Sequence, residues 1–212
     1  EGAIGSINDA ISDYATDLKG SAYDGVPIKH VLQISFGARW LEDYSDPKSD
    51  VNQFGAVMAG EQTLDAFVAS IRPDVPTGTQ CKYNSADTQS LGMLLRAATK
   101  CGLSDYMQEK LVEPLGFEDA AYWVSDHAGV EMVLGGLNMT ARDYAKLGER
   151  YRNGGRVGDR QVVPADWVTA SIRSSAPHLA AGQVIVGGHK FPFGYGYQWW
   201  VSGGNYGYFS AI

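Results

Sequence analysis

Apolar residues recur at helical spacing in several short stretches of the chain, and polar turns separate these stretches. The strongest pattern covers residues 88–99, where three leucines fall on one face of a helix. Ser85 or Asp87 is expected to cap this helix, because both side chains accept hydrogen bonds from free backbone N–H groups. The same reasoning predicts shorter helices over residues 27–34, 63–71 and 104–111, and others that begin near Thr140 and Pro164.

Toward the C-terminal end the pattern changes to the alternation of apolar and polar residues that is typical of β-strands. Residues 194–201 and 206–212 are predicted to be two strands joined by a glycine-rich hairpin turn. The chain contains no internal repeat. The sequence therefore predicts one α+β domain over residues 1–212, with a helical lobe at about 20–180 and part of an antiparallel sheet at about 190–212.

A polar, turn-rich segment lies between the first two groups of helices, at residues 38–52. Aspartate, serine and proline dominate it, which indicates a surface loop. The loop displays Trp40, Glu42, Asp43 and Tyr44 close together. Such a loop is a candidate for a lid over a substrate.

Composition and charge exclude several classes of protein. The 212 residues carry a net charge of -7 with no basic cluster, which argues against a nucleic-acid partner. No apolar run reaches the roughly eighteen residues that a membrane span needs, so a soluble chain without membrane contact is predicted. Cys81 and Cys101 do not form a C-x-x-C pair, and the four histidines are far apart. Neither a metal nor another cofactor is expected.

Tyr83 and Ser85 stand two residues apart where a turn meets a helix. That spacing lets a phenol and a hydroxyl point from one ordered turn toward one cleft, where tyrosine can transfer protons. On its own, such a pair is more often structural. The S-x-x-K sequence at residues 45–48 is a weaker candidate, because Pro47 breaks the helical register that would bring serine and lysine together. The sequence contains no G-x-S-x-G motif of the α/β-hydrolases.

The order of several segments resembles the serine β-lactamases, the penicillin-binding proteins and the related esterases and amidases. Residues 42–47 are most similar to the branch that contains 6-aminohexanoate-dimer hydrolase and carboxylesterases. The segments that carry the resemblance cover nearly the whole chain, and they are residues 28–37, Tyr83-Asn84-Ser85, Leu91-Gly92, Pro114-Leu115-Gly116-Phe117, residues 135–143 and residues 194–200.

The resemblance implies a β-lactamase-like fold and a serine hydrolase that cleaves small esters or amides through an acyl-serine intermediate. Tyr83 matches the tyrosine that relays protons in this family, and Ser85 matches the polar residue that contacts the lysine or the substrate. Tyr44 matches a loop tyrosine that closes over the substrate. Gly204 and Asn205 fall where the family has a K-T-G or H-x-G segment and are expected to contact substrate. Because lysine and histidine are missing there, an esterase or amidase is favoured over a penicillin-recognising enzyme.

The family places its nucleophile in an S-x-x-K helix directly ahead of a segment similar to residues 1–4. We therefore expect the serine and the lysine outside residues 1–212, and no activity from these residues alone. Alternatives are a binding relative without a nucleophile, a structural piece that needs complementary segments in trans, and a β-lactamase or D-alanyl-D-alanine carboxypeptidase. The apolar strand at 206–212 would have an unpaired edge, which predicts association through that edge, including a homodimer.

Overall fold

The computed structural model describes residues 2–60, 62–203 and 208–211. Short 3-10 turns lie at Thr16–Leu18 and Pro177–Leu179, and a π-helical turn at Gln108–Val112 joins the helix that ends at Met107 to the one that begins at Glu113. None of the helices in this described part combines the length and the apolar character that crossing a bilayer requires. The helices are α1 (Ile11–Tyr14), α2 (Ile28–Leu32), α3 (Asp50–Val57), α4 (Leu64–Ser70), α5 (Ser85–Thr99), α6 (Leu103–Met107), α7 (Glu113–Leu115), α8 (Ala141–Arg152) and α9 (Ala165–Ser171).

The strands are short, and all of them pair antiparallel. Among the described residues, the strands form three two-stranded hairpins and, near the C-terminal end, a three-stranded sheet in the order β7-β8-β9. The α+β class predicted from the sequence is confirmed. The strands are β1 (Tyr122–Trp123), β2 (Leu137–Asn138), β3 (Arg156–Val157), β4 (Arg160–Gln161), β5 (Ile185–Val186), β6 (His189–Lys190), β7 (Gly194–Tyr195), β8 (Trp200–Val201) and β9 (Phe209–Ser210).

Helix α5 packs against α1, α2 and α4 in the larger of the two hydrophobic cores that the described residues form. Its cap is Asn84, whose side-chain oxygen accepts a hydrogen bond from the N–H of Ala86 at 2.8 Å. The prediction of Ser85 or Asp87 as the cap was wrong. Both residues lie inside the helix. Their side chains bond elsewhere: the Ser85 hydroxyl donates to Glu42, and the Asp87 carboxylate accepts from the Tyr23 hydroxyl at 3.0 Å. Thr63 and Thr140 cap α4 and α8, at the helix starts that the sequence pattern predicts.

Helix α2 ends earlier than its apolar pattern predicts. Ile34 has a φ of 45°, in the left-handed region that β-branched residues rarely adopt. This turn lets the carbonyl of Ile34 accept the N–H of Lys82 at 3.0 Å, so the chain leaves the helix to meet the segment before α5. Gly37 follows with a φ of 89°, and a Cβ there would lie 2.2 Å from the carbonyl oxygen of Val75. Glycine is therefore required at this turn.

The segment 194–201 is not the single strand that its alternation predicts. It folds back on itself as β7 and β8, with the N–H of Gly196 donating to the carbonyl of Trp199 at 2.8 Å. Gln198 takes a φ of 59° in this turn, and its own N–H donates to the carbonyl of Leu32 at 2.9 Å. A second hairpin then joins β8 to β9, as predicted, although most of its turn lies outside the described residues. Tyr195 and Trp200 belong to the smaller core, with Ile34, Cys81, Leu179 and Val184.

The turn between β7 and β8 approaches the end of α9 so closely that position 196 has no room for a side chain. A Cβ at Gly196 would lie 1.9 Å from the carbonyl oxygen of Ser171, which also accepts the N–H of Tyr197 at 2.7 Å. Gly196→Ala should therefore lower the free energy of unfolding by about 3 kcal/mol, the upper range for overpacking. Urea unfolding of the full-length polypeptide measures this change.

The matched control is Gly148→Ala, in the exposed face of α8, where nothing lies within 4 Å of the added Cβ. It should leave stability unchanged or raise it by up to ~1 kcal/mol, since alanine favours a helix over glycine. Equal effects of the two substitutions would contradict the close approach at Gly196.

Candidate active site

Tyr83 lies at the junction that the sequence singled out, immediately before α5. Its N–H donates to the carbonyl of Ile185 at 2.8 Å, which holds the backbone beside β5. Its ring stacks on Trp200 with centroids 5.1 Å apart and meets the edge of Tyr195 at 6.3 Å. The smaller core thus fixes the direction of the Tyr83 ring from two sides.

The hydroxyl of Tyr83 makes no hydrogen bond with another residue in the described part of the chain. Burial raises the pKa of this phenol, and the negative charge of Glu42 raises the pKa further. Tyr83 is therefore neutral at pH 7 in this arrangement. A cation beside the hydroxyl would be needed to make its proton easier to remove, and the phenol can otherwise donate or pass on a proton.

Glu42 is the organising group of the site, and it is only 3% exposed. Its Oε1 accepts the hydroxyl protons of Tyr44 at 2.6 Å and of Ser85 at 2.5 Å. Its Oε2 accepts the indole N–H of Trp40 at 2.5 Å and the backbone N–H of Ser85 at 3.2 Å. A carboxylate out of water is stable only when donors surround it in this way.

The backbone around Glu42 explains why its side chain points inward. Burial alternates along this segment, with Ala38, Trp40 and Glu42 inside and Arg39 and Leu41 outside, as in an extended chain. Trp40 anchors the inner face by packing edge-on against Phe54 and Phe67. The polar sequence around Glu42 predicted an exposed loop, and Glu42 was not among the predicted site residues. Its separation by two residues from a tryptophan was the signal that could have revealed it.

Hydrogen bonds from α3 hold the rest of the loop in place. The side-chain amide of Asn52 donates to the carbonyls of Asp43, Tyr44 and Asp46, at 3.3, 3.2 and 2.8 Å. Tyr44 is 66% exposed, yet its hydroxyl faces Glu42. Desolvation of that hydroxyl and its bond to Glu42 raise the pKa of Tyr44. Residues 45–48 form turns and not a helix, so Ser45 and Lys48 do not share a helical face.

The structure therefore brings three of the sequence-selected residues together, namely Tyr83, Ser85 and Tyr44. Gly204 and Asn205 lie outside the described residues. Beneath the site, the Asp87 carboxylate is fully buried, and burial raises its pKa well above the usual range, with a smaller contribution from Glu42. One of its oxygens and the side-chain nitrogen of Asn84 have no hydrogen-bond partner among the described residues.

Side chains suited to a metal ion are not clustered in this site. Across residues 2–60, 62–203 and 208–211, no three histidine, cysteine, aspartate or glutamate side chains are grouped so that they could hold one. The chemistry within reach of these residues is that of hydroxyl groups, phenols and one fully bonded carboxylate.

Comparison with known proteins shows which proteins this chain is similar to. The 6-aminohexanoate-dimer hydrolase of Paenarthrobacter ureafaciens is 28% identical over 210 residues, which are 95% of this chain and 53% of that protein. A solved structure from Bacillus anthracis, provisionally named a 6-aminohexanoate-dimer hydrolase, superposes with a TM-score of 0.83 at 21% identity, covering 99% of this chain and 55% of the other. A family VIII carboxylesterase structure superposes with a TM-score of 0.66 at 15% identity, covering 94% and 61%.

The chain spans about half the length of the 6-aminohexanoate-dimer hydrolases that it matches, at 53% and 55%. The two structural matches show that the fold is shared, and the resemblance drawn from the sequence is confirmed by a profile match. The profile of the Beta-lactamase family covers residues 3–212. This protein therefore belongs to the Beta-lactamase family.

Proposed function

We propose that this chain is part of a serine hydrolase that cleaves small esters or amides through an acyl-serine intermediate. The observation that carries the proposal is the neutral Tyr83 hydroxyl near the buried Glu42 carboxylate. Tyr195 and Trp200 hold its ring, and the hydroxyl makes no hydrogen bond with another described residue. The names of the relatives, a 6-aminohexanoate-dimer hydrolase and a carboxylesterase, support an amide or ester as the substrate.

The nucleophilic serine and its lysine are assigned to a segment outside residues 1–212. The only S-x-x-K sequence of the chain is at residues 45–48, and it is not helical. In the proposed reaction the serine oxygen bonds to the carbonyl carbon of the substrate, and the bond to the leaving group breaks. The proton given up by the serine passes through lysine and Tyr83 to the leaving group, and water then releases the acyl group from the serine.

The substrate-contacting roles fall to Tyr44 and Ser85 from the loop and helix, and to Gly204 and Asn205, which precede β9 in the sequence. Residues 203–205 include neither lysine nor histidine, which supports an esterase or amidase over a penicillin-recognising enzyme.

Tyr83→Phe should lower kcat about a hundredfold or more in the full-length polypeptide, because a positioned proton-transfer group is lost while the stacked ring is kept. Hydrolysis of a nitrophenyl ester and of the matching anilide measures the change. Tyr122→Phe is the control, since Tyr122 is 66% exposed on the separate β1–β2 hairpin and should leave kcat unchanged. An unchanged kcat in Tyr83→Phe would rule out its proposed role.

A fluorophosphonate probe should label a serine of the full-length polypeptide that lies outside residues 1–212, since such probes trap an activated serine. Peptide mapping of the labelled protein identifies the site. Ser45→Ala should leave the labelling unchanged, because Ser45 donates to the Asp43 carboxylate in an exposed turn. Rapid labelling within residues 1–212 would contradict the assignment of the nucleophile.

A further inference from the structure

Arg150, in the last turn of α8, is a buried cation that is only 6% exposed. Its Nε and Nη1 are enclosed and have no hydrogen-bond partner among the described residues. Its Nη2 makes no hydrogen bond or ion pair with any of them either. Burial lowers the pKa of the guanidinium, and no acidic group of the described chain offsets that shift. Arginine still stays charged at pH 7, so this positive charge is out of water without compensation.

The other cations on this part of α8 are compensated. Each of them lies against at least one carboxylate, and these carboxylates are used up in the pairs. The ion pairs are Arg142–Glu118 at 3.0 Å, Lys146–Glu118 at 3.1 Å, Lys146–Asp143 at 2.9 Å and Arg152–Glu149 at 2.6 Å. Arg150 is therefore the cation of this group that is left to bind an anion.

A cavity of about 410 Å³ lies beside Arg150, and this volume is enough for a small molecule. The cavity reaches from the buried Leu115 to the exposed Ala145, so it opens at the surface. Arg142, Lys146, Glu149 and Arg150 complete its lining. Because Nε and Nη1 of Arg150 are enclosed, Nη2 is the nitrogen that a ligand in the cavity meets.

The lining restricts the class of anion that the cavity can hold. A guanidinium binds both carboxylates and phosphates. Glu149 lines the same cavity, so a doubly charged phosphate would be repelled by a carboxylate and attracted by one free cation. A carboxylate ligand carries a single charge, which Arg150 can neutralise. The alkyl chain of such a ligand can also pack against Leu115 and Ala145.

We propose that the cavity beside Arg150 binds a small carboxylate with a short apolar chain, whose oxygen accepts a hydrogen bond from Nη2 of Arg150. The site shares no residue with the proposed hydrolase site and does not depend on that function. The acids that ester and amide hydrolases release belong to this class of ligand.

Thermal unfolding of the full-length polypeptide in increasing butyrate tests the site, because a ligand that binds the folded state raises the Tm. The buffer contains no other carboxylate, and sodium chloride keeps the ionic strength constant. Arg150→Leu should weaken butyrate binding about tenfold or more, since a hydrogen bond to a charged group is lost. Butyramide has the same shape without the charge and should leave the Tm of the wild type unchanged.

Arg156→Leu is the matched control, because it removes the same charge from an exposed position on β3. Arg156 donates to the side chain of Gln161 and the carbonyl of Asp159, and it does not line the cavity. Its butyrate affinity should equal that of the wild type. Butyrate bound at the catalytic residues would stabilise all of these variants alike.

A second variant tests the site while Arg150 stays in place. Ala145→Glu adds a carboxylate to the lining of the cavity at an exposed helical position. The added charge competes with the ligand for Arg150, so butyrate binding should weaken in this variant as well.

Equal butyrate affinity in the wild type and in Arg150→Leu would overturn the inference, as would equal stabilisation of the wild type by butyramide. Without butyrate, Arg150→Leu should be at least as stable as the wild type, because an unpaired buried charge is removed. A marked loss of stability there would mean that a carboxylate outside residues 1–212 already neutralises Arg150, and it would overturn the inference too.

Discussion

A buried carboxylate must accept hydrogen bonds at both of its oxygens, and Glu42 receives them from two elements of the fold. Trp40 and Tyr44 come from the loop that precedes α3, and the backbone and hydroxyl of Ser85 come from the first turn of α5. These elements are more than forty residues apart in sequence, with a separation of 43 between Glu42 and Ser85. The need to satisfy one charge therefore fixes the loop on the helix, and with it the distance between the groups on each.

The same group joins two separately packed cores. Trp40 belongs to the larger core with Phe54, whereas Tyr83 packs against Tyr195 and Trp200 of the smaller core. Ser85 lies between them and is bonded to the carboxylate that Trp40 also holds. The site therefore lies between the two cores. The larger core orients Trp40 and, through it, Glu42, whereas the smaller core orients Tyr83.

The sequence predicted those parts of the fold that depend on local pattern. The helix after Tyr83 and the cap at Thr140 follow from spacing and from capping chemistry, as does the position of Tyr83 and Ser85 where that helix begins. Glu42 was missed because polar neighbours indicate exposure, and because two of the four hydrogen bonds that compensate its burial come from Ser85, far along the chain. The segment 194–201 alternates like one strand, but the left-handed Gln198 turns it into two, through a bond to Leu32 that no local pattern contains.

Gln198 also bears on the order in which the protein folds. Its backbone N–H reaches the carbonyl of Leu32 at 2.9 Å, and its side chain accepts the hydroxyl of Thr88 at 2.7 Å. These contacts span 166 and 110 residues, so each closes a very long loop. Contacts of such separation form slowly, because the entropy of closure is lost before any stabilisation is gained. The helices can form early from local contacts. The packing of Tyr195 and Trp200 against the Tyr83 ring is completed only when the last part of the chain docks.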